Sequence, residues 1–239
     1  MRADAFRRRA DNGVAFTPQK RFDLFIAAAR NRCLLDIHNG GGSQLLDDEF
    51  HQRVIGKELH KRGHEIAGHS YTQDLVLPYV SPAEEHEIIQ RCKRIIMDAV
   101  GSAPVGWFSP VAAPTEHTAK FLAAENFIWH GDYNDTDLPY IVETSSGRLV
   151  ALAHSDFTDN RTLRSSPRDF YNVYTDTFDY LYRYEAPSLI NLTVHAHFGG
   201  RPLMSAMLHE LLRYMRGYPD VWFARHDEVA RWTIEQAET

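Results

Sequence analysis

Residues 62–73 read RGHEIAGHSYTQ, and this stretch decides the predicted fold. A helical pattern over about 45–62 ends at Gly63, and the apolar residues within 64–69 then predict a short buried strand. Polar side chains, beginning with His69, follow the strand directly. A helix, a strand and a polar strand end in this order are typical of a βα unit.

The same order recurs along the chain. Ser81-Pro82 and Ser166-Pro167 each predict a helix start, because Ser suits the N-cap and Pro the first helical position; the second helix runs to about Tyr184. Other helices are predicted around Phe22–Ala29, Thr115–Asn126 and 203–216, and from about Asp227. The predicted strands are Cys33–His38, 64–69, Pro104–Phe108, Phe127–His130, Tyr140–Glu143, Leu149–Leu152, Leu189–His195 and Val221–Ala224, the fifth and sixth forming a hairpin or two short strands.

Strands separated by helices favour parallel βα units over an antiparallel sandwich. We therefore predict an α/β protein with one domain, an irregular βα barrel over 20–239, preceded by a loose lead-in over 1–19. An open doubly wound sheet is the alternative. Gly40-Gly41-Gly42 has neither the lysine nor the spacing of a phosphate-binding loop, which argues against nucleotide binding.

Composition restricts the class of partner. The formal net charge of −6 argues against a nucleic-acid binder, which needs a basic surface. No stretch approaches the roughly 20 apolar residues of a membrane span, and the first residues lack the apolar core of a secretory signal. A cytoplasmic protein is therefore expected. The two cysteines, Cys33 and Cys92, have no CxxC spacing and are interpreted as buried thiols.

Histidines mark the ends of several predicted strands. In a parallel βα architecture the carboxyl ends of the strands build the active site. Imidazole suits this place, because its pKa of about 6.5 lets it bind a metal or transfer protons near neutrality. The strand-end histidines are His38, His69, His130 and His195, with His197 two residues further on.

Other residues near these strand ends allow two interpretations. Asp132, Asp135 and Asp137 lie on one loop, where they supply a catalytic carboxylate or form a solvated turn that caps backbone groups. Trp107 is interpreted as core or pocket wall, and Ser109 as a strand-end polar group. His226 is expected at the surface.

The stretch RGHEIAGHSYTQ resembles the RGHEIAxHSxxH signature of polysaccharide deacetylases (the NodB-homology superfamily). Further segments resemble the allantoinase-like and cyclic-amidase-like branch of that superfamily, and they occur in the family's order from about residue 20 to the C-terminus. These segments are Gly106–Pro110, Asp132–Tyr140, His195–Pro202 and Asp220–Ala224.

The resemblance implies an incomplete (β/α)7 barrel that hydrolyses an amide, acetamido or cyclic imide or ureide bond. In this family an aspartate pair on the first strand supplies the base and one ligand of a divalent metal, and two histidines in HxxxH complete the metal site. The resemblance makes His69 the first of these histidines and His195 the general acid for the leaving nitrogen. Zinc or manganese is the cofactor that it implies.

The chain departs from this pattern at three places. Gln73 stands where the second metal histidine belongs, and Phe108 replaces the usual arginine. No aspartate-bearing strand is predicted before Phe22, so Asp36 is the candidate substitute. Two explanations stay open: either the chain starts downstream of the family's first strand, or its site is built differently, from His38, His69, Asp137, His195 or His197.

We therefore predict a hydrolase of non-peptide C–N bonds acting on a small amide, an imide or an N-acetylated sugar. The alternative is a catalytically impaired barrel that binds a small ligand or a partner. Since a barrel without its opening strand exposes strand edges, a homo-oligomer is expected. The predicted site residues are His195, Asp36 and Asp137 for catalysis, His69 and Gln73 for metal, and His38, Trp107, Ser109, His130 and His197 for substrate.

Overall fold

The computed structural model describes residues 24–29 (backbone only), 56–70, 72, 75–154, 158–162, 166–185, 187–195 and 199–238. The strands are β1 (Leu24–Ala29), β2 (Gly106–Trp107), β3 (Trp129–Tyr133), β4 (Tyr140–Thr144), β5 (Gly147–Ala153), β6 (Leu189–Thr193) and β7 (Val221–Trp222). After a helical segment at 56–61, the α-helices are α1 (Pro82–Val100), α2 (Thr118–Ala124), α3 (Asp159–Thr162), α4 (Pro167–Tyr184), α5 (Pro202–Met215) and α6 (His226–Glu238). Short 3₁₀ turns lie at Leu77–Tyr79 and Pro110–Ala112.

The chain divides into two compact units. Unit 1 contains β1, β6 and β7 with α3, α4 and α5, and its sheet has the order β6-β1-β7. Unit 2 contains α1, α2, α6, β2, β3 and most of β4 and β5, and its sheet has the order β2-β3-β5-β4.

Unit 1 is organised around parallel pairing. β1 lies between β6 and β7 and runs parallel to both, with Phe25 opposite Leu189 and Leu24 opposite Val221. Helices α4 and α5 pack against one face of β6. The buried residues of this core are Phe170, Tyr174, Phe178, Ile190, Leu192, Met204, Leu211 and Met215.

The predicted helix around Phe22–Ala29 is wrong, because Leu24–Ala29 forms the strand β1. A central parallel strand reads as a continuous apolar run, and a short run of this kind also satisfies helical spacing. β1 has the sequence LFIAAA and contains no carboxylate. A strand therefore precedes the Cys33–His38 segment, and this strand carries no acidic residue.

Unit 2 is also built on parallel strands. β2 pairs with β3, with Gly106 opposite Trp129 and Trp107 opposite His130. The predicted strand at 64–69 is reduced to a single parallel bridge from Gly68 to Trp107. The buried residues that pack with α1 and α2 on these strands are Ile66, Leu77, Ile88, Ile89, Cys92, Ile96, Trp107, Leu122, Phe127 and Leu149.

Local sequence signals set the ends of the elements. Ser81 accepts a hydrogen bond from the backbone N–H of Glu84, whose side chain accepts from the Ser81 backbone N–H, so the predicted helix start is a capping box. Ser166 and Asp169 make the same arrangement at the start of α4. The predicted hairpin is confirmed, since neighbouring strands β4 and β5 are joined by two residues. In the described part of the chain, no helix has the length and apolar character needed to cross a membrane.

Two glycines let aromatic rings lie directly on a neighbouring strand. A Cβ added at Gly106 would lie 1.7 Å from Trp129 Cε2, and one added at Gly131 would lie 2.0 Å from Phe108 Cε1. Either distance is far below van der Waals contact, so a side chain at these positions requires the ring or the strand to move. The spacing of β2 and β3 therefore depends on glycine at both positions.

We expect Gly131→Ala to destabilise the protein by about 1–3 kcal/mol, because the new methyl group overlaps the Phe108 ring. The free energy of unfolding in urea measures this. The double variant Gly131→Ala/Phe108→Leu removes the overlapping ring atoms and is expected to recover part of the loss. Additive losses in the double-mutant cycle would contradict this contact.

Candidate active site

The parallel register sorts the side chains of unit 2 onto two faces. Trp107 is fully buried in the core made with α1 and α2. His130 is its register partner, so it belongs to the same helix-facing side. Phe108 and Gly131 are the next residues along the two strands and belong to the opposite side, where the Phe108 ring covers Gly131.

A buried pair of a histidine and a carboxylate lies on the helix-facing side. His130 Nε2 is 2.7 Å from Asp132 Oδ2, and the two side chains are 2% and 1% exposed. The backbone N–H of Ser109 donates to both oxygens of Asp132, at 3.0 and 2.9 Å. Asp132 therefore joins the residue after β2 to β3, and its buried carboxylate makes three hydrogen-bond contacts with two donors, Ser109 N–H and His130 Nε2.

Three of the predicted substrate residues meet in this cluster. Trp107 Nε1 donates to Ser109 Oγ at 3.1 Å, and Ser109 is held by Asp132, which pairs with His130. His130 Nδ1 is buried and has no hydrogen-bond partner among the described residues. These contacts give Trp107, Ser109 and His130 a scaffolding role, and contact of any of the three with substrate stays a prediction.

The cluster holds one end of a strained turn. Val111 and Ala112 follow Ser109 with φ of 52° and 53°, a left-handed conformation that costs roughly 1–2 kcal/mol for each non-glycine residue. Beyond the turn, Thr115 Oγ1 donates at 2.7 Å to Glu85, whose side chain is buried. Asp132 and Glu85 are therefore buried carboxylates that fix the chain on either side of the strained residues.

His69 directly follows Gly68, the bridge partner of Trp107. Its Nδ1 lies 2.9 Å from the carbonyl oxygen of Phe108. Because a carbonyl only accepts, Nδ1 donates and the lone pair of the neutral ring lies on Nε2. This is the arrangement that metal-binding histidines have, with the second ring nitrogen bonded to a backbone carbonyl.

The other expected metal ligands do not complete a site. In the described part of the chain, no group of three or more His, Cys, Asp and Glu side chains is placed to hold a metal ion. β1 contains no aspartate, and the residues before Phe22, where the resemblance places an aspartate pair, lie outside the described residues. Gln73 and Asp36 lie outside the described residues, and an amide oxygen is a weak ligand for zinc. The described residues alone therefore do not fit the implied metal.

Phe108 packs where the resemblance places an arginine. Its ring lies 5.1 Å from Trp129 and 5.5 Å from His226, and the last two rings stack at 4.7 Å. His226 is only 5% exposed, so its predicted surface position is wrong. An aromatic cluster thus occupies the space on this side of β2 and β3.

A carboxyl group with a shifted pKa borders this cluster. Glu65 accepts hydrogen bonds from Trp129 Nε1 at 2.7 Å and from the backbone N–H of Asp227, at the start of α6, at 2.9 Å. Burial of the carboxyl and then the nearby charge of Asp227 raise the pKa of Glu65 to about 7. Glu65 therefore attaches the first turn of α6 to β3 and titrates near neutral pH.

Unit 1 has a comparable division of faces. Ile190 and Leu192 of β6 belong to the core under α4 and α5. Asn191 and Thr193 alternate with them and belong to the opposite face, where Asn191 Nδ2 donates to the Ala153 carbonyl at 3.1 Å. His195 lies two residues beyond Thr193, just past the end of β6.

His195 forms a buried pair with Asp159 of α3. The backbone N–H of His195 donates to Asp159 Oδ2 at 2.7 Å, and His195 Nδ1 contacts Asp159 Oδ1. Asp159 is fully buried and His195 is 6% exposed. Both the backbone and the ring of His195 are therefore fixed by one carboxylate, which leaves the lone pair of the neutral ring on Nε2.

The remaining predicted site residues separate into two groups. Asp137 is exposed, and Asp135 accepts a hydrogen bond from the Tyr140 hydroxyl at 2.9 Å, so of the three loop aspartates only Asp132 is deeply buried. Asp36, His38, Gln73 and His197 lie outside the described residues, and their roles stay predictions. Sequence reasoning missed Asp159, which matches none of the motifs and meets His195 across 36 positions.

We expect Asp132→Ala to lower the free energy of unfolding by about 2–4 kcal/mol, because Ser109 N–H and His130 Nε2 lose a buried acceptor. Chemical denaturation measures the loss. Asp135→Ala removes an exposed carboxylate three residues further along the chain, after β3, and is expected to change stability by less than about 0.5 kcal/mol. Equal losses of unfolding free energy in the two variants would show that the buried contacts of Asp132 do not stabilise the fold more than an exposed carboxylate does.

We expect Glu65→Gln to reduce the pH dependence of stability between pH 4.5 and 7. A carboxyl whose pKa is raised on folding favours the folded state below the unfolded pKa, and this contribution is lost as the pH rises through the folded pKa of about 7. The wild type then loses up to about 1.4 kcal/mol per pH unit relative to the variant. Urea unfolding at pH 5.0 and 7.5 measures the difference, with the exposed Glu87→Gln as the control; parallel pH profiles of wild type and Glu65→Gln would contradict it.

The comparisons with known proteins point to one fold. No family model matches the chain. A peptidoglycan deacetylase of Helicobacter pylori is 20% identical over 204 residues, which cover 70% of this chain and 69% of that protein. The structure of a Mycobacterium smegmatis protein assigned as a polysaccharide deacetylase gives a TM-score of 0.73 at 24% identity, over 80% of this chain and 70% of the other.

Two further structures match over nearly the whole chain. A Pseudomonas aeruginosa protein assigned as a polysaccharide deacetylase has a TM-score of 0.71 at 22% identity, over 92% of this chain and 93% of the other. The allantoinase Puue has a TM-score of 0.68 at 21% identity, over 90% and 91%. The chain therefore has the fold of the polysaccharide deacetylases, and the resemblance inferred from its motifs is confirmed.

Proposed function

We propose that this protein is a hydrolase of non-peptide C–N bonds, acting on an N-acetylated sugar or on a cyclic amide, imide or ureide. The observation that carries the proposal is the buried pair of His195 and Asp159 at the carboxyl end of β6. The similarity of the chain to a peptidoglycan deacetylase and to an allantoinase supports the same reaction class.

In the proposed reaction His195 protonates the leaving nitrogen. Asp159 holds Nδ1, so the ring takes up a proton at Nε2 and the carboxylate stabilises the imidazolium that forms. As the C–N bond breaks, this proton passes to the nitrogen, while water supplies the oxygen of the new carboxyl group. An amide nitrogen leaves poorly as an anion, which is why a positioned acid accelerates the step.

His69 is the proposed ligand of a divalent metal, zinc or manganese. Its ring has the tautomer that a metal requires, but further ligands would have to come from outside the described residues, where Gln73 and Asp36 lie. We therefore assign no step to a metal and no base to the described residues. Turnover with and without added zinc or manganese, together with metal analysis of the purified protein, tests this part of the proposal.

We expect His195→Gln to lower kcat by about 10²–10⁴-fold, the usual contribution of a positioned general acid. Asp159→Asn is expected to lower kcat less, because the ring stays but loses the carboxylate that stabilises its charge. The assay uses dihydropyrimidine, hydantoin, allantoin, cyclic imides and acetylated chito-oligosaccharides, each with and without metal.

His209→Gln is the matched control, since His209 is an exposed histidine on α5 in the same unit. Equal rates for the His195 and His209 variants would remove His195 from the mechanism. Turnover of none of these compounds by the wild type, under any metal condition, would reject the proposed reaction class.

A second candidate function is a non-catalytic domain that binds a small ligand or a partner. It is favoured by the absence of a carboxylate from β1 and by the aromatic packing of Phe108 in place of an arginine. Binding of the same compounds without turnover by wild-type protein supports it. The expected homo-oligomer stays a prediction, which gel filtration tests independently of the function.

A further inference from the structure

The hydroxyl of Thr193 is a buried polar atom that makes no hydrogen bond to any residue that the structure describes. Thr193 is the last residue of β6, and its Oγ1 has no hydrogen-bond partner among the described residues. An unmade hydrogen bond at a buried atom is costly, so proteins keep few such groups, and each one calls for a water, an ion or a ligand.

Three buried or half-buried threonines on helices have a hydrogen-bond partner within their own helix. The hydroxyls of Thr175, Thr177 and Thr233 each donate to a backbone carbonyl four residues earlier in their helix, at 2.9, 2.7 and 2.9 Å. Thr193 lies in a strand, where this local partner does not exist. The Thr193 hydroxyl therefore lacks a partner among the described residues because the strand offers it no carbonyl of the preceding turn.

That place is beside the candidate general acid. Thr193 belongs to the face of β6 that points away from α4 and α5, with Asn191 before it and His195 two residues after it. A parallel strand is normally apolar on both faces. Here one face instead presents an anchored amide, a hydroxyl and then the pair of His195 with Asp159.

We propose that Thr193 Oγ1 is a substrate-binding group that hydrogen-bonds the amide to be cleaved. A hydroxyl both donates and accepts, so it can bind either the carbonyl oxygen or the N–H of that amide. Thr193 makes and breaks no covalent bond; it holds the amide near His195. This assignment rests on the proposed hydrolysis of a C–N bond, whose substrate it would bind.

Thr193→Val tests the assignment, since valine keeps the shape of the side chain and removes the hydroxyl. We expect the variant to unfold in urea at the same or a higher denaturant concentration, because the hydroxyl makes no hydrogen bond to a described residue. We expect kcat/KM for whichever compound of the panel is hydrolysed to fall by about three- to tenfold, mainly through KM. Thr193→Ser is expected to keep the wild-type KM, and Thr177→Val, the same change on α4, is expected to leave kcat/KM unchanged.

The outcomes separate this assignment from the proposed reaction. Unchanged kcat/KM in Thr193→Val, or a lower unfolding midpoint that shows an existing bond of the hydroxyl, would overturn it. Where the wild type hydrolyses no compound, calorimetric titration with the same compounds replaces the kinetic assay: weaker binding by Thr193→Val supports the assignment although the reaction fails. Equal binding by both proteins, or no binding by the wild type, overturns the assignment.

Discussion

Parallel register aligns Gly68, Trp107 and His130 across neighbouring strands, and this alignment determines on which face of the sheet each polar side chain of unit 2 lies. Trp107 is fixed in the core under the helices, so alternate residues must point to the other face. Register in a sheet with one buried face resists slippage, since a shift of one residue would expose the whole apolar set. The position of His69 follows from this constraint, and so does the contact of its ring with the Phe108 carbonyl.

Buried carboxylates fix the positions of two histidine side chains, which the strand register alone does not determine. Asp132 accepts from Ser109 and His130, and Asp159 accepts from the backbone and the ring of His195. In both pairs a buried aspartate contacts a histidine ring nitrogen, but the two aspartates have different roles. Asp132 accepts a hydrogen bond from a backbone N–H at the start of a strained turn, so it stabilises the fold. Both oxygens of Asp159 contact a single histidine, His195, and the contact with Nδ1 determines the tautomer of its ring. The proposed general acid rests on the second arrangement alone.

The sequence predicted the helix starts well, because Ser81 and Ser166 carry capping signals that act within one turn. It misread Leu24–Ala29, because the apolar run of a central parallel strand has no period that distinguishes it from a helix. His195 could be found because a motif surrounds it. Asp159 could not, since its importance comes from a contact across 36 positions that only the folded chain shows.

The chemistry that the described residues carry bears on the choice of substrate. Amide hydrolysis requires attack by water and protonation of the leaving nitrogen, and the proposal assigns the second requirement to His195 with Asp159. The carbonyl of a cyclic imide or ureide is flanked by a nitrogen whose lone pair is shared with a second carbonyl. It is therefore more electrophilic than an acetamide and needs less activation of water. Since β1 carries no carboxylate, a cyclic imide or ureide is the proposed substrate that asks least of a base among the described residues, and this physical reason favours it over an acetamide within the proposal.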